Sequence, residues 1–265
     1  MLVVISCSLL TSCKKNKGNP PTLPPEGSMA IDFSNFDKGK SGVKGIIDAN
    51  WDFAATVAGY FKSLIVTTLA VPVASFSYAL DQTPTYLEEK TWQWSFDVSV
   101  LSVTYKGRLV GQIRSSDVLW KMYVLRTGTG AFAEFVWFEG TSKLDGTGGQ
   151  WTLNHSSTYK EPVLTIDWVR SGTAITKVTY TYVRTLNDAR ATDPFKTSYI
   201  EYEKITGTGL YNSKYKIHYY NGSAFSDVDV EWHSTNKIGH VKCQPFFLDT
   251  NWHCWDGNHT NVTCP

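Results

Sequence analysis

From Trp92 to Cys243, apolar and polar residues alternate in short runs broken by glycine, asparagine and serine. A period of two marks half-buried strands, because successive side chains leave opposite faces of a pleated backbone. The runs place strands at 92–105, 108–114, 117–126, 131–139, 149–155, 162–170, 174–184, 198–206, 210–220, 225–234 and 237–243. Turn residues separate most of them, including Lys106-Gly107, Gly128 to Gly130, Asp145 to Gly149, Ser171-Gly172 and Asn221-Gly222. Such short connections leave no room for crossover helices, so the sheet is expected to be antiparallel.

Two hairpins allow a test of register. Pairing 210–220 with 225–234 sets Lys216 opposite Asp229, Lys214 opposite Glu231 and His218 opposite Asp227, with Ile217 against Val228 and Tyr215 against Val230. A turn at Asn221-Gly222 instead shifts the pairing by two residues and keeps the faces. One face is then a solvated charge ladder and the other is core. A loop of Ser171-Gly172-Thr173 puts Leu164 against Tyr180, Ile166 against Val178 and Asp167 against Lys177.

Upstream the period changes. Between Ile46 and Leu69, Ile46, Phe53, Val57, Tyr60, Phe61, Leu64 and Ile65 follow spacings of three, four and seven, which predicts an amphipathic helix over about 46–70. Pro72 is expected to end or bend it. The expected fold is mainly β: an antiparallel meander of about eleven strands curled into a barrel, half-barrel or sandwich, with this helix packed on it.

The first residues follow a third pattern. An apolar run from Leu2 to Leu10 leads into Leu10-Thr11-Ser12-Cys13, followed by Lys14, Lys15 and Lys17. Residues 14–28 are rich in proline, glycine and lysine and have no period. The Leu-Thr-Ser-Cys pattern resembles the lipobox of bacterial lipoproteins. That resemblance implies a signal peptide over 1–12 and a lipid-attachment site at Cys13. It also implies membrane attachment and, with lysine after the cysteine, an outer-membrane address facing the periplasm. Pro20, Pro21, Pro24 and Pro25 favour extended polyproline II, a semi-rigid tether of roughly 45 Å over 13–28. The domain plan is then 1–12, 13–28, a β-rich domain over 29–243, and an irregular tail over 244–265.

Composition narrows the partners. A formal charge of +1 shows no preference for polyanions, which argues against nucleic-acid binding. Ten Trp and fourteen Tyr suit a strand-rich core. Trp92, Trp94, Trp120, Trp137, Trp168 and Trp232 alternate as core residues do, whereas Trp252 and Trp255 in the tail are candidates for exposed aromatic binding.

Chemistry-bearing residues concentrate at the C-terminus: His240, Cys243, His253, Cys254, His259 and Cys264. Their spacing could ligate zinc. An oxidising compartment instead favours a disulfide among Cys243, Cys254 and Cys264, with the pairing open. Asp227, Asp229, Glu231 and His233 share a face, and the opposing lysines explain them as a ladder. Gly39-Lys40-Ser41 echoes a P-loop end but lacks its first glycine, and neither Gly-x-Ser-x-Gly nor His-Glu-x-x-His occurs. The sequence therefore points to a non-enzymatic lipoprotein without cofactor or metal. It is expected to bind an apolar or amphipathic ligand in the concavity of the sheet. A structural or adhesion module and a glycan binder or glycan-processing protein are the alternatives.

Overall fold

The computed structural model describes residues 17–37, 49–100 and 103–265. Cys13 with the rest of the Leu10–Cys13 pattern, Gly39-Lys40-Ser41, and the expected helix start at Ile46 lie outside these residues. Fourteen strands among the described residues form one antiparallel sheet whose spatial order is the order of the chain. They are β1 (Thr85–Tyr86), β2 (Thr91–Val100), β3 (Val103–Ile113), β4 (Asp117–Thr127), β5 (Phe132–Lys143), β6 (Gly148–Asn154) and β7 (Pro162–Ser171). The series continues with β8 (Ala174–Tyr182), β9 (Tyr199–Lys204), β10 (Ser213–Tyr220), β11 (Phe225–Trp232), β12 (Gly239–Lys242), β13 (His253–Trp255) and β14 (Asn261–Val262). The order runs from β1 at one edge to β14 at the other, so the sheet does not close on itself.

The eleven expected strands correspond to β2–β12, and three short strands extend the sheet at its edges. Residues 244–265 are not irregular: they supply a short helix α2 (Gln244–Phe247), then β13, which pairs on β12, and β14, which pairs on β13. The β10–β11 hairpin has the expected register, with Lys216 opposite Asp229 and Ile217 opposite Val228. The β7–β8 register is corrected by two residues. Leu164 meets Tyr182, Ile166 meets Tyr180 and Asp167 meets Thr179. A tighter turn through Gly172 (φ 59°) joins Ser171 to Ala174, and a bulge at Val169/Arg170 takes up the difference. A shift of two preserves the faces, so the core pattern survives.

Gly107 is a second correction. It lies inside β3, opposite Phe96, instead of in a turn. The same pairing of glycine with a ring on the neighbouring strand recurs at Gly111 with Trp120, Gly140 with Trp151, Gly149 with Trp168 and Gly239 with Trp255. A Cβ at Gly111 would lie 2.5 Å from the Trp120 ring. Each indole lies over the bare backbone of its neighbour, which a side chain there would prevent.

One helix, α1 (Asn50–Leu80), packs on this face of the sheet. Its stripe of Phe53, Val57, Phe61, Ile65, Leu69 and Phe76 is buried, at steps of four and seven. Pro72 bends the helix and does not end it: the axis turns by 59° between Asn50–Val66 and Thr68–Leu80. Proline lacks the N–H that the Thr68 carbonyl would accept, and its ring crowds that carbonyl. The start of α1 is held by the tail, since the Asn50 N–H donates to Asn261 Oδ1 (2.7 Å) and Asn50 Nδ2 to the Cys254 carbonyl (2.9 Å). From there α1 runs from β12 and β13 to β2 and β3. No single helix among the described residues is long and apolar enough to cross a membrane.

The segment 19–37 crosses the same face in the opposite direction and forms a strap. Pro21 and Pro24 are buried, so the proline-rich segment docks on the domain where a free tether was expected. Gly27 abuts Ile175 of β8, Ser28 accepts a hydrogen bond from Trp151 Nε1 (3.1 Å), and Phe36 packs edge-on against Trp232 of β11 (4.9 Å). Apolar rings at spaced positions, Phe33 and Phe36 among them, bind this short segment to Tyr215. Burial of such side chains stabilises by about 1.5–3 kcal/mol each, before the cost of ordering the chain.

Candidate functional site

The helix-facing side of the sheet is filled. Trp94, Trp120, Trp151, Trp168, Tyr180 and Tyr215 are all buried there, together with the rings of α1 and the strap. The face of the sheet on which α1 packs is thus covered by the chain's own side chains. Two open grooves flank α1.

The first lies between α1 and the strap and has a volume of about 640 Å³. Met29, Phe33, Ile65, Val66, Leu69 and Val73 make it mainly apolar. Lys62 and Asp37 line it as well, joined by an ion pair of 2.7 Å. Val66 is 57% exposed, whereas Val57, Ile65 and Leu69 of the same helix are buried. The turn at Ser34–Phe36, whose Phe36 ring packs on Trp232, brings the strap alongside α1.

The second groove, about 690 Å³, lies between α1 and the long connection 183–198. Tyr60 and Leu64 form one wall, with Phe195 and Pro194 facing it, and Arg184, Asn187, Asp188 and Asp193 supply polar groups. The connection is ordered throughout. Leu186 bridges Thr192, the Ala191 N–H donates to Asn187 Oδ1 (3.0 Å), and the Asp193 N–H donates to the Thr185 carbonyl (3.0 Å). Arg184 is only 4% exposed and donates to Glu161 (3.3 Å) and Asp188 (2.6 Å), while Arg190 donates to both oxygens of Glu161 (3.0 Å each). These guanidinium hydrogen bonds hold the carboxyls of Asp188 and Glu161 below the usual carboxylate range. Asp193 is buried, accepting from the Tyr182 hydroxyl (2.8 Å) and the Phe195 N–H (3.0 Å). Burial, with Asp193 nearby, raises the Tyr60 phenol, which stays protonated at neutral pH.

The C-terminal residues separate into unrelated roles. Cys254 and Cys264 are joined by a disulfide, whereas Cys243 is a buried free thiol whose ionisation is suppressed by desolvation. His240 stacks on Trp252 (3.7 Å between centroids), His253 stacks on Phe247, and His259 stacks on Trp51. Among the described residues, no group of three or more His, Cys, Asp or Glu side chains is placed to hold a metal ion. Trp252 is half-buried, with His240 on its ring and the Lys242 ammonium 4.7 Å from the ring centroid. Trp255 is a correction: it is 2% exposed, lies over Gly239 and donates to the Lys237 carbonyl (2.8 Å). Trp137 is only partly buried, unlike Trp92, Trp94, Trp120, Trp168 and Trp232.

The acidic run on β11 behaves as a ladder whose ion pairs form mainly with other neighbours. Asp229 binds Lys242 (3.3 Å), Glu231 binds His240 (3.1 Å), and Lys214 reaches Glu203 on β9 (3.0 Å). Sequence reading missed both grooves. The signal for the second was the 185–197 connection with Asp193-Pro194, a long loop amid tight turns, and long ordered loops are common carriers of binding residues. Comparison with protein-family models, with characterised proteins and with solved structures gives no significant match, so the reading of function rests on the residues and geometry of this chain.

Proposed function

We infer that the protein is a non-enzymatic lipoprotein of the bacterial outer membrane, acylated at Cys13 and facing the periplasm, that binds an amphiphile with a hydrocarbon chain. The Leu10–Cys13 pattern supports the address. The sheet is read as a half-barrel folded about a bent helix, because α1 touches strands near both edges of the sheet. The observation that carries the binding reading is the apolar groove of about 640 Å³ between α1 and the strap, within the usual 300–1,000 Å³ of small-molecule sites. Hydrocarbon lies along Ile65, Val66, Leu69 and Val73, and the Lys62–Asp37 pair meets a polar head. With Pro21 docked, about eight residues separate Cys13 from the docked segment, a reach of roughly 25 Å if extended. The domain is thereby held close to the membrane from which such a ligand comes.

Intact-protein mass spectrometry under native conditions, on protein purified from bacterial membranes, tests both parts. The expected result is a chain beginning at Cys13 with acyl mass on that residue, together with a non-covalent lipid mass lost on mild activation. An unmodified Cys13 overturns the address, and the absence of a co-purifying lipid overturns the ligand.

A further inference from the structure

The groove between α1 and the 183–198 connection has a chemistry unlike the first. The geometry points to a carbohydrate site here, taking a pyranose residue of a neutral oligosaccharide with its C–H face on Tyr60 and its hydroxyls on Arg184, Asn187 and Asp188. This inference stands apart from the amphiphile groove and on different residues.

Three observations carry it. The first is the pairing of apolar and planar polar walls. Tyr60, 38% exposed, and Leu64 line α1, while Phe195 and Pro194 line the loop. Phe195 sits 6.3 Å from the Tyr60 ring and 6.0 Å from Tyr220. A sugar ring offers an apolar face for such a wall and a rim of hydroxyls that both donate and accept. Planar side chains with two hydrogen-bonding atoms match adjacent hydroxyls in pairs.

The second is preorganisation. Arg184 is fixed between Glu161 and Asp188, Asn187 is fixed by the Ala191 N–H, and Asp193 by Tyr182 and Phe195. Polar groups already held in position bind a weakly interacting neutral ligand without a further ordering cost.

The third is charge, which excludes the competitors. In the lining of the groove Asp188 and Asp193 outnumber Arg184, which is already paired with Asp188 and Glu161, so a phosphate or carboxylate is disfavoured. A hydrocarbon chain would strip water from Asn187 and Asp188 without replacing it, which costs more than its burial returns.

The test is an NMR titration of the purified protein with cello-, xylo-, malto- and chito-oligosaccharides of four to six units, alongside inorganic phosphate and tetramethylammonium. At least one oligosaccharide is expected to shift the signals of Tyr60, Asn187 and Phe195 and leave those of Val66 and Leu69 unmoved. Tyr60→Ala weakens that binding about tenfold, and Tyr60→Phe, which keeps the ring, changes it by less than about threefold. The proposal is overturned if none of the oligosaccharides shifts these signals at millimolar concentration. It is equally overturned if phosphate or tetramethylammonium is the ligand that does, or if a well-folded Tyr60→Ala protein binds unchanged.

Discussion

Gly239 on β12 and Trp255 on β13 occupy directly opposed positions, and a Cβ at Gly239 would run into the six-membered ring of the indole. It would also stand 2.7 Å from the Glu231 carbonyl on the other side, so neither neighbour can yield freely. Gly239→Ala is therefore expected to destabilise the domain by about 2 kcal/mol through overpacking. Gly59 in α1 faces open space, and Gly59→Ala should add ~0.5–1 kcal/mol by helix propensity. Thermal unfolding of the two variants checks this, with melting temperatures moving in opposite directions. Equal effects would contradict the account of the glycine–aromatic pairs.

The strap is predicted to be integral to the fold. Ser28 and Trp151 are both buried, and the indole N–H donates to the serine hydroxyl. Ser28→Ala leaves that donor unpaired and should cost about 1–3 kcal/mol, read as a lowered denaturation midpoint. An unchanged midpoint would mean that the strap is dispensable.

The disulfide between Cys254 and Cys264 anchors β14, whose Asn261 accepts from the first N–H of α1. Closing a loop of this size stabilises by about 2–3 kcal/mol. Replacing both cysteines by serine is expected to lower the melting temperature and to speed amide exchange at Asn50. The buried Cys243 should stay unreactive toward thiol reagents until the domain unfolds.

Acid should loosen the 183–198 connection first. Glu161 and Asp188 have lower pKa values when folded than unfolded, because Arg190 and Arg184 hold them charged. Such groups contribute stability above the unfolded value of about 4, and that contribution is lost as pH falls through the folded value. Amide signals of Asn187, Ala191 and Asp193 should therefore move below about pH 4, ahead of global unfolding. Glu161→Gln should produce the same change at neutral pH. Signals constant down to the unfolding point would contradict the prediction.

Much of the sheet was legible in the sequence because the period-two pattern is strong from Trp92 to Lys242. The β10–β11 register was one of two, two residues apart, that set charges against charges, and the hairpin adopts the one with Lys216 opposite Asp229. Turn positions were less legible where glycine serves packing: Gly107 reads as a turn residue but makes room for Phe96 within β3. β13 and β14 were hidden because two- and three-residue strands carry no period, and Trp255 was misplaced with them. The proline-rich strap looked like a tether because its anchors, Pro21, Pro24 and Ser28, carry no pattern of their own. Both grooves arise from elements far apart in the chain, so no local signal marks them as sites.

The groove between α1 and the strap is the centre of the functional account, and Val66 is its exposed large apolar wall residue. A fluorescence titration with a labelled lysophospholipid below its micelle concentration, comparing the native protein with Val66→Asp, tests it most directly. Because Val66 is 57% exposed, the substitution should leave the fold intact, while the carboxylate puts a charge in the path of the hydrocarbon. The account predicts saturable binding to the native protein that weakens about tenfold or more in the variant. Undiminished binding by a folded Val66→Asp protein, or no binding by the native one, would contradict it.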